Sequence, residues 1–278
     1  MKRWLKVVWI CIAVTFAAGL LICGVAFAAG ARGGLYLDET GLHTASDRPA
    51  SAPVSEHDLA PFTNIDISLV ATELHFVQAD SFGYEVNPGA HDNIEVSLKD
   101  DCLSIREDVE WRFRFFSFDL FGSNWQPHDV TVYLPRGTSL QSLSVKTVSG
   151  STDLAVEDLS VADFNYEAVS GNLNAHGKGL RTEELDLKAV SGNVDFAGAA
   201  TTRISIDMVS GDTNLDLKGK ADDYRFSLDK VSGSLRVNGQ WFKDDDDLPG
   251  HWSSGDSSAA GRIDIHLISG DVEIRFEE

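Results

Sequence analysis

A Ser-Gly pair preceded by Val or Ile recurs six times in the C-terminal half of the chain, and this repeat strongly constrains the fold. The spacings between successive serines are 21, 21, 19, 22 and 37 residues. A period near 20 residues is typical of a solenoid, in which one coil cannot bury its apolar face alone and stacks on its neighbours. The pairs are Ser149-Gly150, Ser170-Gly171, Ser191-Gly192, Ser210-Gly211, Ser232-Gly233 and Ser269-Gly270.

Apolar and polar residues alternate on both sides of each Ser-Gly pair. The positions four and six residues before the serine are apolar in every copy, and a second alternation follows the glycine. This pattern predicts an all-β, parallel β-solenoid with coils of about 20 residues, each made of two short strands. The residue directly before the serine is also apolar in every copy, so we expect it to face inward, with the alternation slipping at the corner.

The Ser-Gly pairs are predicted to be structural corner turns. Glycine adopts a positive φ without a Cβ penalty, and serine with the following Asn, Asp or Ser can hydrogen-bond backbone groups that a turn leaves unpaired. A nucleophilic serine is not expected, because the chain has no Gly-x-Ser-x-Gly elbow and a catalytic serine need not occur six times.

Three parts of the predicted domain depart from the plain repeat. Residues 62–138 read as a less regular β cap, in which Val70-Ala71-Thr72-Glu73 takes the place of a Ser-Gly corner and Lys99-Asp100-Asp101-Cys102 reads as a hairpin turn. Residues 139–278 form the regular repeats, with residues 240–261 as a loop inserted into the longest spacing. Arg275, Glu277 and Glu278 place charges on the last strand, which would discourage open-ended stacking at its edge.

The N-terminal 30 residues are predicted to be a transmembrane anchor. Val7 to Ala29 are uncharged and mostly apolar, and a helix of this length spans about 34 Å, enough to cross a bilayer core of about 30 Å. Lys2, Arg3 and Lys6 place the N-terminus in the cytoplasm and the remainder outside. A cleaved signal peptide is the alternative, because Ala26-Phe27-Ala28 resembles a cleavage site. Residues 31–61 read as a flexible tether.

The charge balance excludes some partners. The chain carries 43 acidic and 23 basic residues, a net charge of −20. Such a chain repels phosphate backbones, so we expect no nucleic-acid binding. Of three cysteines, two lie in the apolar N-terminal segment and leave Cys102 alone, so neither a disulfide framework nor a cysteine metal cluster is predicted.

An unusual concentration of aromatic residues interrupts the β pattern at residues 111–125. These rings either cover an open end of the stack or present a surface for a protein or glycan partner. The inserted loop adds two tryptophans to this candidate partner surface. Its residues are Trp111, Phe113, Phe115, Phe116, Phe118, Phe121, Trp125, Trp241 and Trp252.

The inserted loop also carries four consecutive aspartates, Asp244, Asp245, Asp246 and Asp247. Carboxylate oxygens suit Ca²⁺, but the spacing matches no EF-hand or Gly-Asp nonapeptide repeat. A solvated charge run is the default interpretation, and no cofactor is predicted.

The repeats and the strand before them resemble a known family. The segment Val130-Thr131-Val132-Tyr133-Leu134-Pro135, followed by Leu143 to Gly150 and the returning Ser-Gly turns, is similar to the DUF4097 family of bacterial envelope proteins over about residues 62–278. The resemblance implies a β-solenoid domain outside the membrane; relatives are called adhesins or are associated with envelope stress. It implies no catalytic residues.

Three functions remain open from the sequence. The first is a non-enzymatic, membrane-tethered module that binds an envelope or extracellular protein or glycan. The second is an acidic trap or sensor for cationic peptides. The third is a glycan-active enzyme, because Glu167, Asp207 and Asp229 fall on one strand face, although Lys146 and Lys188 share that face.

Overall fold

The structure is a computed structural model that describes residues 35–38, 41–44, 53–87, 93–108, 129–241, 250–256 and 259–277. Regular structure in these ranges is β-strand except for a 3-10 turn at Ala221–Asp223, which confirms the all-β prediction. The described ranges contain no helix long and apolar enough to cross a membrane, and the predicted anchor at residues 1–30 lies outside them.

The chain forms two compact units. The unit of residues 1–49 and 110–126 contains an antiparallel pair, β1 (Leu35–Asp38) with β2 (Gly41–Thr44), within the range predicted as a tether. The larger unit, of residues 50–109 and 127–278, contains the repeats. Its strands are β3 (Val54–Leu59), β4 (Asn64–Leu69), β5 (Glu73–Ala79), β6 (Phe82–Asn87), β7 (Asn93–Lys99), β8 (Cys102–Asp108), β9 (Asp129–Pro135), β10 (Ser139–Ala155), β11 (Ser160–Ala175), β12 (Arg181–Ser191), β13 (Val194–Met208), β14 (Asp212–Lys218), β15 (Tyr224–Lys230), β16 (Ser234–Val237), β17 (Gln240–Trp241), β18 (Gly250–Ser254), β19 (Gly261–Leu267) and β20 (Asp271–Glu277).

Each coil of the larger unit has a first arm before its corner and a second arm after it. Neighbouring coils pair in parallel and in register through the corner, so Ser149 lies beside Ser170 and Gly150 beside Gly171. Equivalent residues of successive coils therefore stand in rows at the interstrand spacing of about 4.8 Å. These pairings give the larger unit a solenoid-like architecture.

The core lies between the two arms and follows an unbroken alternation. Leu185, Leu187 and Ala189, which precede Ser191 by six, four and two residues, are all buried. Val190 is 49% exposed, and its counterparts in the other five repeats are 39% to 54% exposed. The expectation that the residue before the serine faces inward is therefore wrong, because strand alternation continues without a slip up to that position.

The spatial order of the coils differs from their order in the chain. The last coil, β19 with β20, lies between the coil of β13 and β14 and the coil of β15 and β16. The same exchange occurs at the other end, where β4 and β5 lie between the β8–β9 coil and β10. The repeat does not specify this order, because a coil can pair with any earlier coil whose edge strand is still free when the chain returns.

Antiparallel strands cover the edges that these exchanges leave. At one end β7 pairs with β8, and β6 joins β9 to β3. At the other end β17 and β18, both from the predicted inserted loop, pair with β16 and β15. The predicted loop thus contributes edge strands. Strand β3, which lies in the range predicted as a tether, is also part of the sheet.

The charges of the last strand do not protect an edge as predicted. Strand β20 pairs with β14 along its whole length and with β16 over residues 271–274, so the last strand lies between two coils and not at the end of the stack. The Arg275 guanidinium lies 2.7 Å from a carboxylate oxygen of Glu273 and 3.5 Å from Asp216 on the neighbouring coil. Arg275 thus forms one ion pair within its strand and one with the neighbouring strand, and antiparallel strands lie at the ends of the stack.

Two features require glycine in the Ser-Gly corners: a positive φ in most of them, and the close approach of the backbone of the adjacent coil. Five of the six have φ between 94° and 139°, with Gly171 as the exception. A Cβ on Gly192 would overlap the carbonyl oxygen of Gly171, and a Cβ on Gly171 would lie 2.6 Å from the carbonyl oxygen of Gly150. The coils can approach to hydrogen-bonding distance at the corner only because these residues have no side chain.

Replacing Gly192 with Ala tests this close approach. We expect the unfolding free energy to fall by about 2–5 kcal/mol, because the change adds backbone strain and a clash with the next coil. Gly137 has φ of 74°, but a Cβ at this residue would meet no atom within 4 Å, so Gly137→Ala should cost about 1 kcal/mol. Urea unfolding measures the loss of unfolding free energy in both variants. Equal losses would show that the close approach of the next coil to Gly192 adds nothing to the cost.

Tyr166 is fully buried between the arms. Burial raises the pKa of its phenol well above the ordinary value. The folded state therefore holds this proton more tightly than the unfolded state, whose tyrosine pKa is near 10. The resulting stability is complete below about pH 10 and is lost as the pH rises above that value.

Replacing Tyr166 with Phe should consequently make the fold less sensitive to alkali. Between about pH 10 and 12 we expect the unfolding free energy of the wild type to fall more steeply than that of Tyr166→Phe, since the variant has no buried phenol to ionise. Urea titrations at stepped pH measure the two slopes. Parallel slopes for wild type and Tyr166→Phe would contradict the prediction.

Candidate functional site

The residues that precede the corners form an exposed apolar row along the stack, here called the aliphatic ladder. Val169 and Val190 are each 49% exposed, and Val70 at the predicted degenerate corner is partly buried. Backbone hydrogen bonds hold the rungs together; for example, the Ser149 amide donates to the Val70 carbonyl at 2.6 Å. In spatial order the ladder is Val70, Val148, Val169, Val190, Val209, Ile268 and Val231.

Nothing in the packing of a single coil requires Val or Ile at this position. The side chain leaves the core face, and in five of the six repeats the residue two before the serine is buried and closes the core. Single exposed aliphatic residues are ordinary, but a contiguous apolar row on a surface is typical of an interaction site. The ladder is therefore the feature of the larger unit that the requirements of folding do not explain.

A second exposed row, here called the charge ladder, runs beside the aliphatic ladder two residues earlier in each coil. From Lys146 to Asp207 the charges alternate in sign from coil to coil, and elsewhere in the row Ser68, His266 and His251 separate the charged residues. In spatial order it is Arg106, Ser68, Lys146, Glu167, Lys188, Asp207, His266, Asp229 and His251. Like charges on adjacent coils would repel, so alternation makes the stack compatible with a charged face.

Short ion pairs join members of this row to their neighbours. The Lys146 ammonium lies 3.1 Å from Glu167 on the next coil. Lys188 lies 2.8 Å from Asp186, and this hydrogen bond raises the pKa of the Lys188 ammonium. Asp229 contacts His251 at 2.6 Å and His266 at 3.4 Å. The charge ladder is thus largely paired within the chain.

The three acids considered for glycan chemistry all lie in the charge ladder. Lys188 separates Glu167 from Asp207, and His266 separates Asp207 from Asp229. Two coil spacings put successive acids about 9.6 Å apart with a basic residue between them. This arrangement is typical of a cross-strand ion-pair row rather than of a paired acid and base.

The corners themselves contain a short amide ladder. The Asn193 backbone amide donates to the side-chain oxygen of Asn172 at 2.9 Å, and the Asp212 amide donates to that of Asn193 at 3.2 Å. The asparagine after the glycine thus hydrogen-bonds the backbone of the next coil. The structure places all twelve Ser and Gly corner residues in this stacked arrangement, with the serine backbone paired to the neighbouring coil at Ser149, Ser232 and Ser269.

Comparison with protein families agrees with this geometry. The model of the Toastrack DUF4097 family matches residues 62–204 and 178–275. The chain belongs to this family. The match covers the stacked coils that carry the corners and both ladders. This is the family that the motifs in the sequence resemble.

Solved structures similar to this Toastrack chain have low sequence identity. A "putative cell adhesion protein" from Clostridium sporogenes is 12% identical, with 81% of this chain and 100% of that chain covered and a TM-score of 0.40. A "putative adhesin" from Bacteroides fragilis is 12% identical, with coverage of 82% and 99% and a TM-score of 0.30. A "putative lipid binding protein" from Parabacteroides distasonis is 14% identical, with coverage of 82% and 98% and a TM-score of 0.32. The comparison with curated proteins found no match.

The two tryptophans predicted for a partner surface lie on the Toastrack edge strands. Trp241 is 46% exposed, and the Arg236 guanidinium stacks 4.0 Å from the centre of its ring. Trp252 lies opposite Leu228 and packs against the core, with the Lys230 ammonium 5.5 Å from its ring. Trp252 therefore helps to cover the edge, whereas Trp241 presents an exposed ring.

The remaining predicted residues lie outside the part that the structure describes. These are the seven aromatics Trp111, Phe113, Phe115, Phe116, Phe118, Phe121 and Trp125 and the aspartates Asp244 to Asp247. Within the described ranges, no group of three or more His, Cys, Asp or Glu side chains could hold a metal ion. The calcium interpretation thus stays a prediction.

A single substitution made at two positions tests the outward orientation of the ladder. Val190→Thr should change the unfolding free energy by no more than about 0.5 kcal/mol, because the hydroxyl remains in water. Val194, four residues later, is fully buried, so Val194→Thr should cost about 1–3 kcal/mol by burying a hydroxyl. Equal losses of unfolding free energy in urea would indicate that Val190 is buried and would contradict the assignment of an exposed ladder.

Proposed function

We propose that this Toastrack chain is a non-enzymatic binding module held on the outer side of the cell membrane. Its partner on this proposal is an envelope or extracellular protein or glycan, and its contact surface is the aliphatic ladder with the charge ladder beside it. The observation that carries the proposal is the exposed row of seven aliphatic residues, six of them 39% to 54% exposed, which folding does not require.

The rigidity of the stack supports this role. Backbone hydrogen bonds between coils hold every rung, as in the 3.0 Å bond from the Val209 amide to the Ala189 carbonyl. Valine and isoleucine also have restricted side-chain rotamers. A partner would meet a surface that is already ordered, and little conformational entropy would be lost on binding.

The distribution of acidic residues favours such a module over an acidic trap for cationic peptides. On the second arms, the Asn174 amide lies between coils that carry Asp153 and Asp195 and donates to Asp153 at 3.1 Å. Asn214 donates to Asp195 at 2.8 Å. Carboxylates on this face therefore alternate with amides and accept intrachain hydrogen bonds, which weakens a concentrated negative field.

The location in this proposal depends on the N-terminal segment. Val7 to Ala29 would cross the membrane once, with Lys2, Arg3 and Lys6 on the cytoplasmic side. The names of three similar solved proteins, two for adhesion and one for lipid binding, fit a role at the cell surface.

A capture experiment with the full chain tests the contact surface. The tagged chain is incubated with solubilised envelope proteins and with envelope glycans, in parallel with Val169→Ser/Val190→Ser. We expect this ladder variant to lose at least about tenfold in captured partner, because two central apolar contacts become polar. Val54→Ser/Val77→Ser is the matched control, since these valines are 52% and 40% exposed but lie outside the ladder.

The outcomes separate the candidate surfaces. Equal capture by wild type and ladder variant would remove the ladder as the contact surface. If capture survives in the ladder variant but is lost on deletion of residues 111–125, the predicted aromatic surface is the binding site instead.

A further inference from the structure

We propose that the partner of the ladder face is a second copy of this chain, arranged with its coils antiparallel. This inference rests on the proposed function, because it names the occupant of the same face. The argument starts from the charge ladder, whose order on the stack makes the face complementary to itself when reversed.

The reversal can be followed coil by coil. A two-fold axis that lies in the face, runs along the strands and passes between β11 and β12 places each row against its own reverse. Across that axis Glu167 meets Lys188, Lys146 meets Asp207, and Arg106 meets Asp229. Each pair occurs twice by symmetry. In the remaining pair, Ser68 meets a neutral His266, and no like charges come together.

Two other kinds of arrangement of two copies lose this complementarity. An axis centred on a coil, rather than between coils, brings residues of equal sign together because the row alternates. Parallel stacking about an axis along the charge ladder puts each residue against itself, so that Lys146 meets Lys146. Like charges in contact cost binding energy and select against the arrangement. The alternation thus favours antiparallel copies.

The aliphatic ladder is compatible with the same axis. Val169 meets Val190, Val148 meets Val209, and Val70 meets Ile268, so six of the seven rungs gain an apolar contact. In the row before the charge ladder, Asp66 would meet Asp264. Asp264 is already paired with Arg262 at 2.7 Å, and Arg106, which lies 2.9 Å from Asp66, would stand between Asp66 and Asp229 of the second copy.

The area of the face predicts a weak and reversible dimer. Seven coils span about 29 Å, and the strand from the Asp66 row to the serine row is about 17 Å long, which gives about 500 Å² per copy. The total of about 1,000 Å² is at the lower limit for a specific interface. Attachment of both copies to a membrane would raise their effective concentration and favour association.

The first test measures association of the full chain in detergent by sedimentation equilibrium. We expect a monomer–dimer equilibrium that weakens with added salt, because charged pairs border the contact. Val190→Glu places a carboxylate at the centre of the contact twice and should weaken association by at least about a hundredfold. Val77→Glu, at an exposed valine outside the ladder, should associate as the wild type does.

The second test measures the register with a short bismaleimide, in a background in which Cys11, Cys23 and Cys102 are serine. Differently tagged Val148→Cys and Val209→Cys chains should cross-link with each other, since these residues face one another at about the 10 Å spacing of packed sheets. Two Val148→Cys chains should cross-link poorly, because their cysteines are offset by three coils, or about 14 Å along the stack. Equal yields would overturn the antiparallel register.

The results separate this inference from the proposed function. A chain that stays monomeric, while its ladder variant loses capture of another envelope component, overturns the dimer and keeps the binding face. A monomeric chain with unchanged capture by the ladder variant overturns both. Dimerisation that is lost in Val190→Glu and kept in Val77→Glu, with the expected cross-link, supports both.

Discussion

The approach of one corner glycine to the next is the contact on which this structure depends. The Cβ atoms that these residues lack would overlap the backbone of the adjoining coil, as at Gly192 against Gly171. Because the corners can approach so closely, the strands on both sides stay at hydrogen-bonding distance and in register. A side chain at the corner would separate the coils at the point where the two arms meet.

Register at the corners turns a sequence repeat into surface rows. Once Ser149 lies beside Ser170, every residue at the same distance from the serine lies beside its counterpart. The inward rows make the core, and the outward rows make the aliphatic and charge ladders. The residues of a row follow one another in a fixed order along the stack. The order of the charge ladder places opposite charges together when two copies of the face meet with their coils running in opposite directions.

A stack of parallel coils leaves exposed strand edges at its two ends, and antiparallel strands cover these edges here. A stack of parallel strands ends in unpaired backbone groups that can recruit another chain. Here each end receives antiparallel strands, β7 and β6 at one end and β17 and β18 at the other. The parallel coils therefore have a strand neighbour on both sides, and short antiparallel strands form the outer edges of the larger unit.

The repeat in the sequence was enough to predict the strands, the corners and the stacking, because each is a local consequence of alternation and of glycine. The outward position of Val190 was also accessible from Leu185, Leu187 and Ala189, but the uniform row of Val and Ile suggested burial. What only the tertiary structure decided was which coils are neighbours. Strand β19 lies between β13 and β15 although β15 precedes it in the chain, since pairing depends on which edge is free when the chain returns. The sequence contains the residues of the ladder, but their spatial order exists only in the structure: His266 separates Asp207 from Asp229, which a stack in chain order would place side by side.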